Sequence, residues 1–341
     1  SMSISLLERE PFNIGASSRN AGFACIGSLG ELRADLEHTS FEEVMDLVIN
    51  RYEGLQCLLQ HTSPRRIGYR NSGNLEVFST QDREDYQSVM EIADQVNKYL
   101  SKEIGKNVYQ ANTEALRHQG LEAFSFAIEN KYEGTLDTAK LNLELLKIAK
   151  KLNIELLNNW NISEIVEDSE HINIIAKGLS LRANYVIHCT NAFAKELLGT
   201  LDLQPGRNQV LITQEVPGLK LNTGVHYNKG FVYFRNVGKR ILLGGARNLD
   251  PELETTDEYG SNVVIRSFLK AFLSKITDFP VEIDRYWSGI LAFGKVKKPI
   301  IQWHSPRQLI AVRMGGMGVA IGCSVAQKVR QIIGDKIREN S

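Results

Sequence analysis

The chain has 341 residues, and its 40 Lys plus Arg balance 40 Asp plus Glu, so the formal charge is zero. That balance excludes the positive field on which a general nucleic-acid binder or an anionic-membrane binder depends. Hydrophobic types at 43% and charged types at 23% describe a globular chain, and no apolar run approaches the roughly 18 residues of a membrane span.

The first predicted strand covers residues 3–7 and ends in Glu8-Arg9-Glu10. An acidic residue at such a strand end is the ribose acceptor of a dinucleotide-binding βαβ unit, about 20 residues after its glycine fingerprint. If Glu8 has that role, the fingerprint lies before residue 1; the competing reading is a plain edge strand. The start turns acidic too early for a signal peptide. Residues 11–31 hold Gly15, Gly22, Gly27 and Gly30 among small and apolar residues, the composition of an inward loop that brings backbone close to a ligand.

Residues 41–59 and 83–100 read as amphipathic helices, with a strand in 71–79 between them. Asp137 caps a third helix over 138–152, whose stripe is Leu141, Leu145, Ile148 and Leu152. Strands follow at 154–157, 162–165, 171–176 and 183–188, an α/β layer with an antiparallel insertion. The last of them runs into Thr190, Asn191 and a helix from Phe193, a candidate nucleotide contact. Residues 206–285 change character, with strands at 208–213, 230–235 and 239–244 and a covering helix at 261–274. Phe231, Tyr233 and Arg235 share one strand face. Lys295, Lys297 and Lys298 read as a solvated rim. Near the end, a strand over 309–312 leads through Arg313-Met314-Gly315-Gly316-Met317-Gly318 into a helix over 319–333 that Gly334 terminates. A strand, a glycine turn and a helix N-terminus form a site for an anion or an electronegative ring, and Gly318 and Gly322 permit close approach of another backbone.

The four cysteines, at 25, 57, 189 and 323, are widely spaced without CxxC, which predicts no disulfide framework, no zinc knuckle and a reducing, cytoplasmic compartment. The seven histidines form no HxH or HExxH pair, so no metal site is expected; His188 reads as a core histidine. Neither GxSxG nor GxxxxGK[ST] occurs. Chemistry carried by a cofactor fits that absence of a side-chain catalytic set.

SLLERE, GASSRNAG, GTLDTAKLNLELLKIAKKLNIEL, VIHCTNAFAKEL, RILLGGARN, YWSGILAFGKVKKPII and GGMGVAIG stand in an order that resembles the FAD-dependent amino-acid oxidase (DAO) family, the group of glycine and sarcosine oxidases and D-amino-acid dehydrogenases. The resemblance implies an α/β fold. An FAD-binding Rossmann-like (glutathione-reductase-type) domain, at 1–66, 134–205 and 286–341, is interleaved with a mixed-sheet α+β substrate domain at 67–133 and 206–285. It implies non-covalent FAD, an amine or amino-acid substrate, and O2 or an electron carrier as acceptor. Glu8 and Arg9 would hold the adenosine ribose side, with Ile162 behind the adenine. Ser17, Ser18, Arg19, Asn20, Ala21 and Gly22 would line the pyrophosphate and flavin, with Thr190 and Asn191 beside them. Gly315, Gly316, Met317, Gly318 and Val319 would approach the ring.

Two departures from the family stand out. Its strand–GxGxxG–helix opening, roughly 25 to 30 residues that would precede Ser3, is absent from this sequence. Leu291 stands where glycine oxidase-like members have an arginine on the substrate carboxylate. Tyr233, Arg235, Arg247 and Arg313 are the substrate-wall candidates, Arg235 foremost, unless the substrate is an amine without a carboxylate. The other functional readings are a degenerate, non-catalytic flavoprotein-like module, and an NAD-dependent dehydrogenase, which would need a second fingerprint that is not present.

Overall fold

The computed structural model describes residues 3–277 and 279–339. Its largest element is an eight-stranded sheet in the order Ile283–Phe293, Gln204–Thr213, Arg240–Gly245, Val232–Val237, Gly224–Tyr227, Asn74–Phe78, Phe126–Asn130 and Gln110–Ala111. Every junction is antiparallel except that of Gly224–Tyr227 with Asn74–Phe78. Strand alternation sorts the residues of this sheet by face. Leu75, Val77, Leu211, Val225, Phe234 and Leu243 pack against Leu269 and Phe272 of the helix Val263–Ile276. Burial of each such side chain contributes roughly 1.5–3 kcal/mol. On the opposite face, register aligns Glu76, His226, Tyr233 and Gly244 in one row across four strands.

That second face is met by residues 21–30, and smaller parallel and mixed layers complete the fold. Ser5–Leu7 pairs in parallel with Glu155–Leu157. Val186–His188 pairs in parallel with Gln308–Val312, which takes Ile300–Ser305 antiparallel on its other side. The strands Glu164–Glu167, Ile172–Ala176 and Leu179–Ala183 form the antiparallel insertion. Together these layers and the separate eight-stranded sheet make the expected mixed α/β fold, a Rossmann-like region beside a mixed-sheet substrate domain. Leu6, Leu156 and Ile187 on the short parallel strands are exposed, as is Ile4 just before the first of them.

The helices Phe41–His61 and Gly318–Glu339 cross closely at Gly54, whose backbone lies against the Ala320 carbonyl with no room for a Cβ. Gly318 and Gly322 were the glycines expected to permit a close approach, but a Cβ on Gly322 would meet nothing within 4 Å. Gly334 does not end the last helix, which continues to Glu339. The helix predicted over 83–100 is two, Arg83–Glu91 and Ala93–Leu100, because the ladder tightens at Ile92, whose N–H reaches back to Val89. Asp137 caps Thr138–Lys151 as predicted, accepting from the Lys140 N–H. The predicted stripe of that helix is only partly covered. Leu141 is buried against Ala24, Leu55 and Ile67, and Glu144 turns in to Arg66, while Leu145 and Leu152 face outward.

One expectation from cysteine spacing is overturned. Cys57 and Cys323, 266 residues apart, are joined in a disulfide between the two crossing helices. Helix packing, not sequence proximity, brings them together, and neither spacing nor motif announces it. His188 is a core histidine, sharing a hydrogen bond of 3.0 Å with Gln308. Lys297 and Lys298 remain half-exposed at the rim and pair with Glu31, Asp35 and Glu43. No helix among the described residues is long and apolar enough to cross a membrane.

Candidate active site

The glycine-rich N-terminal segment folds into the short helix Ala16–Arg19 and a turn built around Asn20. Asn20 Nδ2 donates to the Ala16 and Ser17 carbonyls, and its Oδ1 accepts from the Gly22 N–H and the Thr138 hydroxyl. Gly22 sits at φ +73°, where its Cα faces the Leu136 carbonyl and the Arg235 guanidinium without space for a side chain. Glycine is required there for both reasons. Ser18 Oγ closes back on the Gly15 carbonyl, and Ser17 is exposed. Arg19 is taken by the carbonyls of Ile14 and Ser288, and its guanidinium lies over Tyr259.

Arg235 has a different part from the substrate wall expected of it. Its Nε donates to the Ala21 carbonyl at 2.5 Å, its Nη2 to Leu136 at 3.0 Å and its Nη1 to Asn236. Burial, with the Arg70 charge beside it, pushes its pKa down to about 10. The side chain clamps the glycine-rich segment to the sheet and has no free fork for a ligand. Arg313 is likewise committed, through Nε to the Lys298 carbonyl and through Nη1 to Asp202.

The C-terminal glycine turn arrives beside this segment. Asn191 Oδ1 accepts from the N–H groups of Arg313 and Met314, which ties the turn to the chain just past Val186–His188, with Thr190 exposed next to it. Gly315 and Gly316 take φ of +57° and +83°. A Cβ on Gly316 would meet nothing within 4 Å, nor would one on Gly15. Open glycine backbone at the start of the 22-residue helix Gly318–Glu339 is a cradle in which a planar ring or an anion fits against N–H groups. Met317 Sδ lies 3.5 Å from Cys25 Sγ, so residues 15–25 and 313–319 meet there.

At the far end, Glu8 accepts from the Glu10 N–H and is approached by the Trp160 backbone, two residues before the half-buried Ile162. Arg9 lies 4.4 Å from the Phe193 ring centroid and 3.5 Å from Glu196. The acidic strand end, Ile162 and the segment after Val186–His188 are thus neighbours.

Sequence reasoning named Tyr233 on the sheet face that looks onto this region and missed Phe23 and His226 beside it. Phe23 stacks on His226 with centroids 5.1 Å apart and meets Tyr233 edge-on at 5.5 Å. Burial pushes His226 down to about 4 and Tyr233 up to about 12, so both are neutral at pH 7. Tyr233 is bonded to the Asn208 side chain. Behind them lie two buried carboxyls. Glu76 accepts from Ser28 Oγ and the Gly30 N–H, and Glu133 from the Ile26 and Gly27 N–H groups and Asn74 Nδ2. Burial outweighs those bonds and lifts each to about 7. Burial would also raise Glu31, but Arg51 and Lys297 pull it down to about 2. Only cross-strand register joins these residues, so no local motif marks them. A surface concavity of about 450 Å³ lies elsewhere, between Arg66 and the exposed side of Thr138–Lys151.

No curated protein matches the chain. Among solved structures, it is similar to glycine oxidase from Geobacillus kaustophilus at 19% identity and a TM-score of 0.78, covering 98% of this chain and 88% of that one. L-proline dehydrogenase from P. horikoshii gives 16% identity and a TM-score of 0.75, with 97% and 86% covered. L-amino acid deaminase from Proteus myxofaciens, in complex with anthranilate, gives 15% and 0.76, with 98% and 85% covered. At these identities the likeness establishes the fold. The family model for FAD dependent oxidoreductases, DAO, matches residues 1–332, and the chain belongs to that family.

Proposed function

We propose that the chain oxidises the C–N bond of an amino acid or secondary amine with non-covalently bound FAD, the resulting imine hydrolysing in water. The observation that carries this is the meeting of the two glycine-rich segments, at Cys25 and Met317, below a sheet face bearing Phe23, His226 and Tyr233. FAD supplies the hydride acceptor when bound. Gly315, Gly316, Met317, Gly318 and Val319 would hold its ring end, Ser17, Ser18, Arg19, Asn20, Ala21 and Gly22 its middle, and Glu8, Arg9 and Ile162 its adenosine end, with Thr190 and Asn191 alongside.

The wall residues have a chemical consequence. Loss of hydride from a carbon beside nitrogen requires the neutral amine, whose lone pair becomes part of the C=N bond. A partly buried wall of Phe23, neutral His226 and neutral Tyr233 desolvates a bound ammonium and lowers its pKa, which favours the neutral form. It also excludes water from the reacting carbon. Non-covalent attachment is supported by the state of two thiols: Cys323 is spent on Cys57, and burial pushes the Cys25 thiol up. The reading includes O2 or an electron carrier as the final acceptor. It also includes a cytoplasmic location, against which the Cys57–Cys323 bond weighs.

The test is visible absorbance of the purified protein followed by anaerobic addition of an amino-acid and amine panel. Bound flavin that bleaches with a panel member supports the reading. A colourless protein that takes up no added FAD replaces it with the non-catalytic binding module.

A further inference from the structure

Among the described residues, three metal-ligating side chains meet where the helices Phe41–His61 and Gly318–Glu339 cross: Cys57, His61 and Cys323. Their ligand atoms all lie within 4.8 Å of one another. Motifs such as CxxC and HxH pair one residue type within one stretch of chain. This set mixes two types, and its cysteines are 266 positions apart. The flavin reading gives none of the three a part beyond the Cys57–Cys323 bond.

Ordinary helix geometry places each ligand. Cys57 and His61 are four residues apart, so they stand on one helix face a turn apart. Just before Cys57, Gly54 lets the backbones touch at the Ala320 carbonyl. That close crossing holds the Cα atoms of Cys57 and Cys323 5.9 Å apart. Thr62 returns both its N–H and its hydroxyl to the Leu58 carbonyl, which fixes the turn carrying His61. Cys57 is buried, Cys323 half-buried and His61 exposed. The set is therefore closed on the protein side and open to water at the imidazole. A cation bound there also sits at the C-terminal end of a 21-residue helix, where the dipole favours positive charge.

Two thiolates and an imidazole are a donor set for zinc, and soft sulfur disfavours Mg2+ and Ca2+. Around a tetrahedral zinc with Zn–S about 2.3 Å and Zn–N about 2.0 Å, ligand atoms lie roughly 3.6–3.8 Å apart. Side-chain rotation brings these three to that spacing once the sulfurs are no longer bonded to each other. Disulfide and metal compete for the same sulfurs. A cellular dithiol that reduces the Cys57–Cys323 bond becomes a disulfide itself and leaves two thiols. Zinc then displaces one proton from each, and water takes the fourth position. We propose that reduced Cys57 and Cys323, with His61, form a zinc site that joins the two helices in place of the disulfide. It stands independently of the flavin reading, and it gives the cysteine pair a role in a reducing compartment.

The test uses the full chain, untreated and after reduction by a water-soluble phosphine, which takes oxygen from water to become its oxide and is then removed under nitrogen. Zn2+ alone is titrated against a chromophoric chelator, and Co2+ alone is followed by difference absorbance. Free thiols, flavin and circular dichroism are read on the same samples. Reduced wild type should bind one zinc per chain and melt higher with zinc than without. With cobalt it should show thiolate charge transfer and tetrahedral d–d bands, whereas untreated protein should bind neither metal. His61→Ala, an exposed change, should weaken zinc by more than about a hundredfold, since loss of an outer partner alone costs about ten- to a hundredfold. Cys323→Ser should lose most of the charge transfer, and Cys189→Ser, at an exposed thiol outside the set, should match wild type. Zinc uptake undiminished in His61→Ala, lost in Cys189→Ser, or equal in untreated and reduced protein would each overturn the proposal. So would reduced protein that takes up no zinc, or a bond that the phosphine cannot open in the folded chain. A flavin-free chain that binds zinc through these three residues would reject the flavin reading and keep the site; a flavin-bleaching chain without zinc would do the reverse.

Discussion

Arg235 shows how a residue placed on the correct face can have the wrong partner assigned to it. Alternation puts it with Tyr233 on the site side, and both are found there; its acceptors, Ala21 and Leu136, come from segments about which the strand says nothing. Arg235→Leu leaves two buried carbonyls unpaired and should cost roughly 2–4 kcal/mol in urea unfolding, with flavin lost together with stability. A variant that unfolds like wild type and changes only substrate affinity would return Arg235 to the substrate wall. The glycine turn gives a second contrast. Gly316→Val forces a β-branched residue to φ +83° and fills the open cradle, so bound flavin should be lost while far-ultraviolet circular dichroism is kept. Gly318→Val meets only Met314, at an ordinary 3.5 Å, and should retain more flavin than Gly316→Val in the same absorbance assay.

At the scale of elements, the row Glu76–His226–Tyr233–Gly244 and the neighbouring Glu133 make the junction between sheet and glycine-rich loop a buried, pH-sensitive joint. Glu76 and Glu133 titrate near 4.5 when unfolded and about 7 when folded. Between those values the native state holds protons that the unfolded chain has released. Stability is therefore greatest below about pH 4.5 with respect to these groups and declines as pH rises to 7, by at most roughly 3 kcal/mol for each. Urea midpoints measured from pH 5 to 8 should fall, and Glu133→Gln should flatten part of that slope. The elements themselves were largely legible. Periodicity and the Asp137 cap located the helices Phe41–His61 and Thr138–Lys151 within a few residues, and the glycine clusters at both ends marked the segments that meet. What the sequence could not show is which distant strands lie side by side. Glu76 and His226 are 150 positions apart, and Cys57 and Cys323 are 266, so their adjacency follows from register and helix crossing alone. The same reason hid the seat of Arg247, which Gly206 and Phe293 supply from two other strands.

For the whole molecule, the short parallel strands leave Leu6, Leu156 and Ile187 exposed, with Ile4 and, at 74% exposure, Phe12 nearby. Exposed apolar residues beside strand edges favour association between copies. Sedimentation velocity should show mass rising with concentration, and the double variant Leu6→Lys, Ile187→Lys should suppress it; a monomer at all concentrations would count against such an edge. The contact of Cys25 with Met317 has a further meaning during synthesis. It spans 292 positions, so the two walls of the cofactor cradle leave the ribosome far apart in time. At about 5–20 residues per second the interval is roughly 15 to 60 s. Throughout it, residues 15–25 have no opposite wall, and nothing can be clasped between the two glycine-rich segments until the last helix is made. A cofactor held between these walls should therefore act mainly on how long the finished chain survives.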